Sequence, residues 1–379
     1  MIRAAYIHIP FCQHICHYCD FNKVLLHKQP VDQYLDYLEK EMKHTLQRMP
    51  IEQLDTIFVG GGTPTALSMQ QTEKLLTIIE QNLKPRSSNC EYTFEANPGD
   101  LPKEKLELLL DGGVNRLSFG IQSFQDDLLK KIGRTHTKCE AIQALEEAKT
   151  IGFENVSGDF IYALPGQSMH DVKETMRTAL TLGLSHMSAY SLIVEPKTVF
   201  YNLMKRGKLQ LPSEDSEASM YEYIMQEMER GGYHQYEISN FAKTGYESRH
   251  NTTYWNNESY YGFGAGAHSY VSGQRIQNAG PLKHYFMMID KTGFPYHEVH
   301  QVTKQEQMEE EMFLGLRKTA GVNKDTFFRK FQVSMQEQFK EQIQQNKLRG
   351  YLEETDNSVR LTKLGTLLGN EVFQSFLLG

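Results

Sequence analysis

Cys12, Cys16 and Cys19 stand at CxxxCxxC spacing at the end of the stretch Tyr6-Ile7-His8-Ile9-Pro10-Phe11-Cys12-Gln13-His14-Ile15-Cys16-His17-Tyr18-Cys19-Asp20-Phe21. One loop that returns three thiols within so few residues can wrap a metal centre, because thiolates bind zinc and iron–sulfur clusters strongly. Three chemistries compete for the pattern. A structural zinc site is closed by four protein ligands and would need a fourth from His14, His17 or Asp20. A redox dithiol has the spacing of Cys16 and Cys19 but leaves Cys12 without a task. A four-iron cluster held by three thiolates uses all of them and keeps one iron free for a non-protein ligand.

Further groups with chemistry fall at the ends of later apolar runs. Asp55-Thr56-Ile57-Phe58-Val59 empties into Gly60-Gly61-Gly62-Thr63-Pro64-Thr65, a glycine loop that suits either a tight turn or a backbone approaching a small ligand. Glu95 lies near the end of the run from Glu91 to Asn97, and Gln122 near the end of the run from Arg116 to Phe124. Arg134 follows the next short helix, and Asp159 lies inside the run from Val156 to Leu164. Gln122 and Arg134 carry several donors, and a carboxylate such as Asp159 is costly within an apolar strand unless a donor faces it.

The elements that must position these groups alternate regularly. The first apolar run precedes the cysteines, and Val31 to Met49 carries Tyr34, Leu35, Leu38 and Met42 at helical spacing. Helices over 69–82 and 103–110 separate the next runs, and a sixth run covers His186 to Ile193, followed by Val194-Glu195-Pro196. Six strand-then-helix units with their polar features at the carboxyl ends define an α/β fold, either a parallel barrel or a doubly wound sheet.

The CxxxCxxC loop resembles the signature of the radical SAM enzymes, and the flanking Tyr6-Ile7-His8-Ile9-Pro10-Phe11-Cys12 resembles their HemN/HemW group. The resemblance implies a partial parallel (β/α)6 barrel, with the cysteines on a [4Fe-4S] cluster whose free iron chelates S-adenosylmethionine. It places Tyr6, Tyr18, Gly61, Gly62, Thr63, Glu95, Gln122, Arg134, Asp159 and Ile193 around that cofactor, with Arg134 or the ribose as the expected partner of Asp159. Two departures favour the HemW branch over the coproporphyrinogen dehydrogenases. Phe21 stands where those enzymes carry a fourth cysteine, and the chain begins only a few residues before Tyr6. The implied function is a haem chaperone that binds haem with the cluster and S-adenosylmethionine and passes haem to clients, such as membrane respiratory enzymes. Oxygen-independent coproporphyrinogen III oxidation is the alternative.

Beyond Pro212 the pattern changes. A helix is expected over 213–230, opened by acids in its first turn, so that a radical SAM core spans 1–230. Residues 231–303 read as a connecting segment that contains Arg249-His250-Asn251-Thr252-Thr253-Tyr254-Trp255. This RHNxxYW stretch resembles a mark of HemW-type proteins. It makes His250, an imidazole among aromatics, the leading candidate for a haem ligand, with His268 weaker and Arg249 a candidate for the propionates. The series Gly262-Phe263-Gly264-Ala265-Gly266-Ala267-His268 lacks the strand and acidic follower of a dinucleotide site. Residues 304–379 are expected to form three helices, a hairpin around Asp356-Asn357-Ser358 and a last helix, a winged-helix-like module. The helix expected over 335–346 has many glutamines and few bases, which argues for a cap or protein contact instead of DNA binding.

The bulk properties agree with one large core and a smaller one in 379 residues. A net charge of −7 without a basic block argues against nucleic acid. No apolar stretch approaches the roughly 20 residues of a membrane span, and Met1 to Ala5 lead straight into the first strand, so a cytoplasmic protein is expected. Cys90 and Cys139 read as ordinary structural thiols and not as a disulfide framework.

Overall fold

The fold is given by a computed structural model that describes residues 2–378. Its first six long strands are β1 (Ala4–Ile9), β2 (Leu54–Gly61), β3 (Arg86–Ala96), β4 (Arg116–Gln122), β5 (Asn155–Tyr162) and β6 (His186–Ser191). They lie side by side in chain order, every neighbouring pair parallel. A doubly wound sheet would reverse that order at a switch point. The unbroken order is that of a barrel, and β1 and β6 do not pair with each other, so the barrel is open.

The segment 231–303 is not a connector. It supplies β7 (His234–Glu237), β8 (Asn240–Ala242), β9 (Tyr260–Phe263), β10 (His268–Val271), β11 (Gln274–Asn278) and β12 (Tyr296–Gln301), which extend both sides of the barrel into one 12-stranded sheet. β8 runs antiparallel on β6, and β9 runs parallel beside β1. These strands are short, and their small, aromatic and polar residues give no sustained alternation.

Each barrel helix buries an apolar stripe on the sheet. The helix Val31–Arg48 buries Tyr34, Leu35, Leu38 and Met42, spaced as one helical face. The helices Met69–Asn82, Lys138–Ile151 and Met169–Thr181 begin with capping boxes, in which Ser68, Thr137 and Ser168 accept from the third backbone N–H. The helix Glu214–Arg230 is capped by Ser213 and carries Glu214, Asp215 and Glu217 in its first turn.

The C-terminal module has its own core, centred on Met312, Phe327, Phe339, Ile343 and Phe376. Helices Lys304–Gly315, Lys324–Phe331 and Met335–Leu348 precede the hairpin of Leu352–Glu354 and Ser358–Leu361, which Val322–Asn323 joins as a third strand. That is the expected winged arrangement, closed by two short helices, Lys363–Leu367 and Gly369–Gln374. Among the described residues no helix is long and apolar enough to cross a membrane.

Candidate cluster and cofactor site

Every parallel strand delivers its carboxyl end to the same rim, and the cysteine loop leaves β1 there. The loop is tied on all sides. Phe11–Cys12 pairs with Val24–Leu25. The His17 N–H donates to the Ile132 carbonyl (2.9 Å), its Nδ1 lies 2.8 Å from the Lys131 carbonyl, and its own carbonyl accepts from the Phe200 N–H (3.0 Å). On the other flank the Asn22 amide donates to the carbonyls of Ala265 (2.7 Å) and Gly280 (3.1 Å), while the Asn22 carbonyl meets His8 Nε2 at 2.7 Å.

Cys12 is buried, and Cys16 and Cys19 are half-buried. Burial pushes the Cys12 thiol up to about 11 and the Cys19 thiol up as well, with the neighbouring thiols adding to both. Such sulfurs become thiolates readily only against strong positive charge, which a bound iron centre supplies. Among the described residues no three His, Cys, Asp or Glu side chains stand close enough to grip a single ion. Three thiols from one loop are the donor type that iron–sulfur clusters take.

Several of the other expected cofactor residues lie beside this loop. The Gly61 N–H donates to the Glu95 carboxylate at 2.9 Å, and Gly61 has a φ of +113°, a conformation that glycine adopts freely. A Cβ there would stand 2.4 Å from the His8 ring. Gly62 and Thr63 donate their N–H groups to the Ile9 and Phe11 carbonyls at 2.9 and 2.8 Å, which fastens the glycine loop to the cysteine loop. Thr63 Oγ1 accepts from the Asn97 amide at 3.1 Å and bonds the Cys12 thiol.

Arg134 reaches across the rim to the Asn97 Oδ1 (2.7 Å), the Gly120 carbonyl and the Cys16 Sγ (3.5 Å). Tyr18 packs beside Cys16 and Arg134, and burial pushes its phenol up. Tyr6 faces the barrel interior with its hydroxyl 3.0 Å from His8 Nδ1. Gln122 ends β4 with a φ of +67°, an uncommon value for a non-glycine residue and one often found at functional sites. Ile193, just beyond β6, is 63% exposed. Burial holds the Glu95 carboxyl up at about 7.

Asp159 corrects the expectation about its partner. Its carboxylate accepts from the hydroxyls of Ser118 (2.9 Å), Ser157 (3.3 Å) and Ser188 (2.8 Å), drawn from β4, β5 and β6, and not from Arg134. Three hydroxyls offset part of the desolvation cost, yet burial still raises the carboxyl above its usual range.

His250 does not join the site. The helix Arg249–Trp255 sits at the amino-terminal end of the barrel, opposite the cysteines, where the Glu91 carboxylate accepts from the Arg249 and His250 N–H groups at 3.0 and 3.1 Å. The His250 ring is 1% exposed, stacks on Phe58, and has Nδ1 2.9 Å from Thr56 Oγ1 and Nε2 2.8 Å from the Tyr254 hydroxyl. Both nitrogens are engaged, so neither is open to an iron, and burial pushes the imidazole down to about 3. Arg249 is likewise committed, to the Asn89 carbonyl at 2.6 Å, with Asp55 at 3.9 Å. Of the remaining thiols, Cys90 is buried and Cys139 exposed.

An open parallel barrel with a three-cysteine loop on its carboxyl rim defines the class of radical SAM proteins. The Radical SAM superfamily description matches residues 6–179, and the HemN C-terminal domain description matches residues 302–368. The haem chaperone HemW of Bacillus subtilis is 55% identical over 376 residues, covering 99% of each chain, and that of Lactococcus lactis is 49% identical over 376 residues, covering 99% of this chain and 97% of its own. The chain belongs to the HemW family. Among solved structures, the coproporphyrinogen III oxidase HemN from Escherichia coli, a radical SAM enzyme, superposes with a TM-score of 0.86 over 99% of this chain and 90% of its own at 23% identity, a likeness of fold.

Proposed function

We propose that this protein is a cytoplasmic haem chaperone: it takes up haem, carries a [4Fe-4S] cluster with S-adenosylmethionine, and hands haem to client proteins such as respiratory enzymes. The observation that carries this reading is the end-to-end likeness to proteins named haem chaperones. Cys12, Cys16 and Cys19 would hold the cluster. When bound, the cluster supplies an electron to the sulfonium of S-adenosylmethionine. Tyr6, Tyr18, Gly61, Gly62, Thr63, Glu95, Gln122, Arg134, Asp159 and Ile193 would surround the cofactor.

The residues in place do the positioning. Arg134 is fixed by Asn97 and the Gly120 carbonyl beside Cys16, which sets a cation next to the thiolate. Glu95 is held by the Gly61 N–H, and Asp159 by its serines. Phe21 is 60% exposed at the place of the extra cysteine of the coproporphyrinogen dehydrogenases, an apolar surface in place of a thiol.

The test is an anaerobic reconstitution with iron and sulfide, followed on one sample by a haem titration and a coproporphyrinogen assay. Stoichiometric haem uptake without conversion is expected. Conversion with release of 5'-deoxyadenosine and no stable haem uptake would overturn the reading in favour of the biosynthetic enzyme.

A further inference from the structure

We propose that haem is held on the carboxyl rim beside the cysteine loop, with its iron bound by His268 and its ring resting on the apolar surface of Phe21. This rests on the haem-carrying reading above and assigns it a place. β9 runs parallel to β1, with Phe263 level with Ile7, so the chain leaves β9 at the same rim as the cysteine loop leaves β1. The corner Gly264-Ala265-Gly266-Ala267 then packs on that loop. A Cβ on Gly264 would stand 2.6 Å from the His8 carbonyl oxygen, and a Cβ on Gly266 2.6 Å from the Asn22 amide. Asn22, the neighbour of Phe21, bonds the Ala265 carbonyl within that corner. His268 opens β10 directly after it and is exposed.

The environment of His268 suits a ligand. Its ring is exposed at the start of β10, beside the Gly266 backbone, where an imidazole nitrogen can reach a metal. Partial burial and the nearby Arg275 lower its proton affinity, favouring the neutral ring that coordinates iron. Four other histidines are committed inside the barrel. His186 and His250 are buried with both nitrogens bonded, His8 bonds Tyr6 and Asn22, and His136 bonds the Ile121 carbonyl. The cysteine loop also exposes Ile15 and Leu25, at 41% and 48%. Together with Phe21 at 60%, they give this rim the apolar surface that a flat tetrapyrrole would cover.

The test is a hemin titration of the full chain without its cluster, comparing wild type, His268→Ala, Phe21→Ala and His14→Ala. Wild type is expected to take one hemin with a shifted Soret band. His268→Ala should bind about tenfold or more weakly, at least the loss seen when a supporting partner of a metal ligand is removed, with a displaced band that added imidazole restores. Phe21→Ala should weaken binding while keeping the band position, and His14→Ala should change neither. An unchanged affinity and band in His268→Ala, or the same loss appearing in His14→Ala instead, would overturn the assignment while leaving the haem-carrying reading intact. No uptake by wild type would overturn that reading itself.

Discussion

At the scale of single residues, His250 separates a structural from a ligand role. Its ring bridges Thr56 and Tyr254 and stacks on Phe58, so His250→Ala should destabilise the chain by roughly 2–4 kcal/mol through a cavity and two orphaned hydroxyls. Thermal melts should show that loss, and a hemin titration should show an unchanged Soret band. A changed band with an unaltered melting temperature would reverse the roles. Glu95 makes a second prediction, with a pH signature. Burial raises its carboxyl to about 7, above its value in the unfolded chain. The folded state therefore binds the proton more tightly, and this group costs stability as pH rises from the ordinary carboxylate range through 7. Glu95→Gln should stabilise the cofactor-free protein by on the order of 2–3 kcal/mol at pH 8, discounted for the partial exposure of the side chain. The gain should vanish near pH 4.5, and denaturant melts at the two values check this; an equal gain at both would exclude ionisation as its source. The three cysteines were legible in the sequence because their spacing is local. The commitment of His250 was not, because its partner Thr56 lies 194 residues away.

At the scale of elements, the rim is assembled from segments that the sequence keeps far apart, and Glu41 joins them. It sits on the buried face of the helix Val31–Arg48 and accepts from the Gly264 N–H (2.8 Å), the Asn278 amide (2.7 Å) and the Tyr285 hydroxyl. A single carboxyl thus fastens the corner before β10, the end of β11 and the helix Leu282–Thr292 to the first barrel helix. Nothing in the amphipathic pattern of that helix singles it out, since a glutamate on an apolar face signals only through partners more than 220 residues distant. Glu41→Ala leaves the Gly264 N–H and the Tyr285 hydroxyl without an acceptor and the Asn278 amide with only the Gly264 carbonyl, and should cost roughly 3–5 kcal/mol. Glu41→Gln, which keeps an acceptor, should lose less. Chemical denaturation of both variants checks the order, and equal losses would mean that Glu41 acts by filling space alone. The long parallel strands were readable for the opposite reason: each carries a continuous apolar run bounded by a helix. The short strands of 231–303 gain their conformation from a neighbouring edge, so their own residues carry little signal.

At the scale of the whole molecule, the two ends of the barrel are treated differently. The C-terminal module packs at the amino-terminal end, against the helix that carries His250. The Arg317 guanidinium lies over Trp255 at 4.6 Å and Phe373 at 5.5 Å, and Lys318 and Lys330 donate to the side chain and carbonyl of Asn256 at 2.6 and 2.8 Å. The Arg317 carbonyl also accepts from the Ile238 N–H, and the Thr319 N–H donates to the Tyr236 carbonyl, which ties the module to the edge strand β7. The module therefore packs on the amino-terminal end of the barrel, away from the cysteine rim. Trp255 is the single tryptophan of the chain, so its emission reports this contact alone. Arg317→Ala should remove about 1–2 kcal/mol of partly desolvated cation–π attraction and shift Trp255 emission to the red as water reaches the ring. If haem sits on the opposite rim as proposed, its affinity should stay constant. Emission spectra and hemin titrations on the same variant decide it: an unshifted emission would mean that the module is held by the lysine contacts and the β7 bridge without the stack, and a lost affinity would mean that the two ends are coupled through the barrel.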